Sequence, residues 1–375
     1  MPKPLLILSD SPSCSSGFGR ISRELALRIH ADLPEFRVAC AGYGGYGSRS
    51  IPFPEYHYTM TQSWIPDQLP EIAEDFCPGE RLTILSIWDC SRLPWLSKPE
   101  ICPVPAVRKW LIDNQPSRWI YTPMDAESPY SMYREILSGF DRVLNYTAFG
   151  ARVTGFPDHI PHGIDTSVFH PVDRKQARGE LMRWFRGLKS DSLLVGIVAT
   201  NQGRKDWRLA IETLKLLLDR GHDVRAWAHT DGAIGWWDIP RLVKDYGLQG
   251  RVAVTSFQLS DEQMAWMYSA CDVTLGIGLG EGFGYPIFES LACGTPCIHG
   301  DYGGAAEFLP ESYKVLPSGF YYEGPGCAKR PIFEPEDWAR IADRTAGQTA
   351  ELPSGIKWEN LWPMWKKWLL EGVHA

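Results

Sequence analysis

Residues 276–307, GIGLGEGFGYPIFESLACGTPCIHGDYGGAAE, decide the fold. The residues leading into them, CDVTLGI at 271–277, form a short apolar run that reads as a buried strand. Glycines then open the chain around Glu281, Gly282, Phe283 and Gly284. Pro286 suits a first helical turn, where its missing N–H costs nothing. Phe288, Leu291 and Ala292 give that helix one apolar face, Gly294 ends it, and TPCI starts another strand. A strand, a glycine-rich turn and a helix N-terminus make a phosphate site, because free amides and the positive end of the helix dipole face the turn. Glu281 and Glu289, eight positions apart, flank it. Carboxylates do not hold phosphate, but they accept hydrogen bonds from hydroxyls. Acid, amides, acid therefore suits a ligand with hydroxyls on both sides of a diphosphate, which describes a nucleotide sugar. Gly282, Phe283, Gly284, Tyr285 and Glu289 are the donor-binding candidates here. The plainer alternative is a capped core helix with a solvated Glu289. The GFG between the two acids and the ACGTPCI after them argue against it.

Working back from this stretch, the second half alternates strand and helix. SLLVGIVAT (192–200), VRAWAHT (224–230) and RVAVTSF (251–257) are strands, with helices in WRLAIETLKLLLDRG, WWDIPRLVKDYG and DEQMAWMYSA between them. Such alternation predicts a doubly wound parallel sheet. After the first of these strands comes NQGRKDW, which places Asn201, Arg204 and Lys205 past a strand end, where ligands of open α/β sheets bind. The first half repeats the pattern. PLLILSD (4–10) is followed by SPSCSSGFG and a helix over 20–30, FRVACAG (36–42) is a second strand, and LTILSIWD (82–89) ends in Trp88 and Asp89. SRWIYTPMDAES (117–128) gives a strand ending at Asp125, which could cap a helix near Pro129. GYGGYG at 42–47 matches the dinucleotide spacing, but Pro52 and Pro54 block the helix that the fingerprint requires, so a loop is expected.

The chain has 375 residues, enough for two domains. A net charge of −7 without a long basic run argues against a general nucleic-acid binder. The nine cysteines are odd in number and scattered, as expected of reduced thiols, and Cys293 and Cys297 read as packing thiols. MPKPLLILSDSPS has too short an apolar run for a secretory signal, and no stretch is long enough to span a bilayer, so a cytoplasmic protein is expected. Sixteen tryptophans is a high number; most are expected in the core or between domains.

The motif at 281–289 resembles the E-x7-E motif of retaining GT-B glycosyltransferases, glycosyltransferase family 4 in particular. IPHGIDTSVFHP (160–171) resembles the segment that leaves the N-terminal domain of that family, and ATNQGRKDW is similar to its N-Q-x-R-K variant, departing at Thr200, where a basic residue is common. The resemblance implies two Rossmann-like domains facing a central cleft: an acceptor domain over 1–170, a donor domain over 171–352, and a C-terminal helix at 353–375 that crosses back. It implies that Glu281 sits at the donor sugar and Glu289 at the ribose. The first loop would meet phosphate and acceptor through Ser16, Gly17, Phe18 and Arg20, although Arg20 is as well explained as a solvated charge. Trp88 and Asp89 join the acceptor side. Asp125 stands where many members carry a His, and others resemble this chain in having Pro-x-Asp. His162 is either a base or, better, a packing residue of the hinge.

The leaving diphosphate gains charge as the glycosyl bond breaks, and Asp-x-Asp, a common metal-holding motif, occurs nowhere in the chain. Arg204 and Lys205 are expected to supply the positive charge, with no metal and no cofactor beyond the donor substrate. The expectation is a metal-independent, retaining glycosyltransferase with Glu281, Asp125, Arg204 and Lys205 as its catalytic group. A nucleotide-sugar epimerase of the same fold and a non-catalytic sugar binder are the competing readings. The acceptor stays open between a glycan, a lipid and a hydroxymethylated base in DNA. The last rests on a loose likeness of SDSP…GFGR to phage-type glycosyltransferases, and the net charge opposes it.

Overall fold

Apolar runs without polar alternation fit strands buried on both faces, and here they assemble into two parallel sheets. The computed structural model of the chain describes all residues except 15, 45–50, 59–63, 129–131, 325 and 375. The chain divides into two units. Unit 1 comprises Met1–Met124, Pro129–His162 and Trp362–Ala375, and unit 2 comprises Asp125–Ser128 and Gly163–Leu361.

Unit 1 holds β1 (Lys3–Asp10), β2 (Phe36–Tyr43), β3 (Glu55–Tyr58), β4 (Thr83–Ile87), β5 (Ser117–Thr122) and β6 (Arg142–Asn145), in the spatial order β3-β2-β1-β4-β5-β6, all parallel. Helices α1 (Gly17–Asp32), α2 (Leu69–Phe76), α3 (Pro94–Ser97), α4 (Pro105–Asn114), α5 (Met132–Leu137) and α6 (Ala148–Thr154) connect the strands. The order reverses between β1 and β4, and the loops after these two strands meet at that switch point. Residues 362–375 complete the unit. Trp365 packs edge-on against Tyr121 at 4.7 Å, and Arg142 lies 4.1 Å over the ring of Trp368.

Unit 2 holds β7 (Leu193–Val198), β8 (Val224–His229), β9 (Val252–Thr255), β10 (Val273–Gly276), β11 (Cys297–Gly300) and β12 (Lys314–Val315), in the order β12-β11-β10-β7-β8-β9, again all parallel. Read from its other edge this is the same winding as unit 1, with the switch point between β7 and β10. Its helices are α7 (Arg174–Trp184), α8 (Trp207–Asp219), α9 (Ile239–Asp245), α10 (Asp261–Ala270), α11 (Tyr285–Ala292) and α12 (Pro335–Thr345), and α13 (Trp358–His374) closes the chain. An antiparallel hairpin, β13 (Gly319–Glu323) with β14 (Ala328–Ile332), stands apart from the main sheet.

Several sequence expectations are corrected. The units divide between His162 and Gly163 rather than near 170, because the chain already joins unit 2 there: Ile164 N–H donates to Ile356 O at 3.0 Å, and Gly163 lies flush against Trp358. The helix expected over 20–30 begins at Gly17. Ser16 caps it by accepting from the Gly19 amide at 3.0 Å, so the GFG belongs to the first turn rather than to a preceding loop. Beyond Pro54 the chain runs on as strand β3 rather than loop, paired with β2 at the sheet edge where prolines are tolerated. Of GYGGYG, residues 45–47 lie outside the described residues. Asp125 caps no described helix, and Pro129 lies outside the described residues. His162 is buried, its Nδ1 2.9 Å from Tyr121 Oη, and burial holds its pKa well below the usual histidine range. All nine cysteines are unbridged.

Candidate functional site

The loops after β7 and β10 are zipped together. Asp206 N–H donates to Ile277 O at 3.0 Å, Leu279 N–H donates to Arg204 O at 2.8 Å, and Lys205 bridges antiparallel to Gly278. This short ladder carries Arg204 and Lys205 onto Glu281. Lys205 Nζ donates to Glu281 Oε1, and Arg204 Nη1 lies 3.1 Å from Oε2. The carboxylate can fold back only because residue 278 is glycine. A Cβ there would stand 2.1 Å from Glu281 Oε1. Just beyond, the turn through Gly282 and Gly284 runs into α11, with Gly284 as N-cap and Pro286 in the first turn. The positive end of that helix therefore faces the same turn.

Asp125 joins this group. It belongs to unit 2, and its Oδ2 lies 3.3 Å from Arg204 Nε. A further cation escaped the sequence reading: Arg330 of β14, whose Nη1 lies 3.3 Å from Asp125 Oδ1. Glu281, Asp125, Arg204 and Lys205 are thus brought together as expected candidates, with Arg330 added. Among the described residues no group of three His, Cys, Asp or Glu is placed to hold a metal ion.

The electrostatics follow from burial and contact. Burial pulls the Lys205 ammonium down to about 8, with Arg204 adding to the fall and Glu281 opposing it. Burial resists ionisation of Glu281, but Lys205 and Arg204 outweigh it and hold the carboxyl at about 2. These shifts pull opposite ways across one ion pair. The direct contact, backed by a guanidinium that keeps its charge, decides for the ionised pair at neutral pH. Glu281 is depressed from 4.5, so its contribution to stability is complete above that value and fades as pH falls toward 2.

The remaining candidates are placed differently. Glu289 is buried on α11 and accepts from Tyr268 Oη at 2.9 Å. The Phe283 ring packs into the core against Phe288 at 4.8 Å, so the ring itself is not a donor contact. Tyr285 stacks edge-on to it at 5.5 Å. Asn201 is corrected. Its Nδ2 donates to Gly232 O and Trp237 O, and its Oδ1 accepts from Trp237 N–H, so the side chain staples the loop after β8 rather than facing a donor.

In unit 1 the acceptor candidates gather around Asp10, at the end of β1. Ser16 Oγ donates to Asp10 Oδ2, and Trp88 Nε1 donates to Oδ1 at 3.1 Å. Trp88 is fully buried among Tyr58 and Trp64, so it positions Asp10 and offers no open face, which corrects its reading as an acceptor contact. Asp89 pairs with Arg92 at 3.3 Å, and Arg92 is sandwiched between Phe18, at 5.4 Å, and Trp64, at 4.0 Å. Gly17 is the exposed first residue of α1, and Arg20 lies half-buried within the helix. Asp10 and Arg92 were missed. The only signal for Asp10 was its place at a strand end.

Comparison with known proteins bears on the family and the fold. Residues 180–325 match the model of the family described as glycosyl transferases group 1. A D-inositol 3-phosphate glycosyltransferase of Paenarthrobacter aurescens is 25% identical over 185 residues, which is 48% of this chain and 41% of that protein, so the match spans less than half the relative's length. Among solved structures, sucrose-phosphate synthase from Thermosynechococcus elongatus superposes with a TM-score of 0.69 over 100% of both chains at 19% identity. Anabaena HepE in complex with UDP-glucose superposes with a TM-score of 0.69 over 99% of both chains at 14% identity. These likenesses give the fold: two Rossmann-like α/β units of GT-B type.

Proposed function

We propose that this chain, which carries a glycosyl transferases group 1 domain at residues 180–325, moves a sugar from a nucleotide-diphosphate donor to an acceptor hydroxyl, with retention of anomeric configuration and without a metal. The observation that carries the reading is the convergence of Arg204 and Lys205 on Glu281 at the switch point of a parallel sheet, in front of the N-terminus of α11. In this reading the two cations and the turn stabilise the leaving diphosphate as its charge grows. Glu281 holds the sugar and offsets its developing positive charge, the donor phosphate takes the acceptor proton, and Glu289 receives the ribose. Asp125 orients the acceptor hydroxyl. The carboxylates and aromatic rings around Asp10 and Arg92 support an acceptor with a hydroxyl-bearing ring, and modified DNA is assayed beside glycan and lipid acceptors. Among the described residues no helix is long and apolar enough to cross a membrane. The unbridged cysteines support a reducing, cytoplasmic setting.

The test is a panel of nucleotide sugars with EDTA present, with the product's anomeric configuration read by NMR. Transfer with retention is the expected result. Inversion, a requirement for metal, or donor turnover that leaves an epimerised donor and no transfer product would overturn the reading. A pH profile adds a sharper mark. Donor kcat/KM, which reports the free enzyme, is expected to fall above a pH of about 8 as Lys205 loses its proton. In Lys205→Arg that alkaline limb disappears, because arginine keeps its charge.

A further inference from the structure

Asp125 is shared by two arginines that differ in kind. Arg204 is partly open, and it also contacts Glu281 and donates to Gly280 O at 3.2 Å. Arg330 is buried. Its Nε donates to Glu323 Oε2 at 2.8 Å, and its Nη1 donates to Asp125 O at 3.2 Å and Leu279 O at 3.4 Å.

The backbone beside Asp125 is fastened to the same hairpin. Lys329 N–H donates to Glu127 O at 2.8 Å, Lys329 Nζ lies 3.1 Å from Glu127 Oε2, and Ser128 Oγ donates to Gly326 O at 2.7 Å. Tyr302 Oη accepts from Glu127 N–H at 2.9 Å. Arg204 and Arg330 share the Asp125 carboxylate.

The charges in this cluster balance: Arg204, Lys205 and Arg330 face Asp125, Glu281 and Glu323. A diphosphate arriving at Arg204 is more highly charged than one carboxylate and repels Asp125. That carboxylate keeps its place beside it only where another cation holds it. Arg330 is in contact with it already. We propose that Arg330 is a positioning residue that retains the Asp125 carboxylate when the donor's diphosphate takes Arg204, so that Asp125 remains placed for the acceptor hydroxyl. This rests on the donor reading given above.

The experiment is a calorimetric double-mutant cycle with UDP, GDP, ADP and dTDP in EDTA, on the full chain and its Arg330→Met, Asp125→Asn and doubly substituted variants. Arg330→Met is expected to weaken the bound diphosphate about two- to fivefold, the range of a partly exposed charge pair, because Asp125 then competes for Arg204. Asp125→Asn is expected to bind at least as tightly as the parent while losing kcat. In the Asp125→Asn background the Arg330→Met penalty disappears. A penalty equal in both backgrounds, or none in either, overturns the proposal, since a merely structural Arg330 would act regardless of the charge on Asp125. Should Arg330→Met not fold, Asp125→Asn decides alone: weaker diphosphate binding than the parent overturns it. If the unaltered chain binds none of the four, the donor reading itself fails, which is a separate result.

Discussion

Glu281→Ala is expected to lower the proposed sugar transfer by roughly 10²–10³-fold or more and to destabilise the protein at the same time. The loss of stability comes from one contact. Lys205 is buried, and Glu281 is its bonded counter-charge. Breaking a buried pair from one side costs about 3–5 kcal/mol. The low end applies here, because Lys205 already titrates near 8 with its partner present and sheds its proton once alone. Thermal unfolding separates the two effects. Glu281→Ala combined with Lys205→Met removes both charges, so it recovers most of the lost melting temperature without recovering turnover. Transfer within tenfold of the parent in Glu281→Ala would show that the carboxylate has no part in the chemistry.

Gly280→Ala is the second substitution with a large effect. Gly280 has a φ of +121°, a conformation L side chains rarely adopt, and a Cβ there would stand 1.9 Å from the carbonyl oxygen of Asp125. That oxygen is main chain and is already bonded to Arg330, so it cannot swing aside as a flexible side chain would. Either the Asp125–Ser128 segment or the Glu281 turn must move. The strained backbone alone costs on the order of 1–3 kcal/mol. Displacing the proposed catalytic group by an ångström is expected to lower turnover roughly 100-fold. Gly326→Ala is the control. It lies in the neighbouring hairpin connection, and a Cβ there meets nothing within 4 Å. Its activity and melting temperature stay near those of the parent. Equal losses in both variants would mean that the hairpin region responds to any added side chain.

Much of the site was legible because its parts lie in short continuous stretches. Glu281, the glycines around it and the helix after it fall within one strand–turn–helix, and Arg204 and Lys205 fall directly behind another strand. The alternation of apolar runs with amphipathic helices gave away two parallel sheets. The missing pieces come from elsewhere in the chain. Arg330 sits in an antiparallel hairpin outside the alternating strand–helix pattern, and it reaches Asp125 across 205 positions. Nothing local marks such a pair. Asn201 misled for the opposite reason. It stands in the expected loop, but an amide with donors and an acceptor is well suited to staple a neighbouring loop, and the backbone after β8 takes up both kinds of group. Trp88 likewise stands past a strand end, yet packing among aromatic rings buries it, and only its indole N–H does polar work. Strand β3 was hidden by Pro52 and Pro54, which exclude a helix but leave an edge strand open.

The central claim is that Arg204 and Lys205, beside Glu281 at the sugar, form the diphosphate end of a donor site. It is tested most directly by titrating the protein in EDTA with a nucleoside diphosphate and its monophosphate, beside Arg204→Ala. The account predicts that the diphosphate binds at least about tenfold more tightly than the monophosphate, that added magnesium leaves its affinity unchanged, and that Arg204→Ala removes the difference. Equal affinity for both nucleotides, or a preference for the diphosphate that survives in Arg204→Ala, would contradict it.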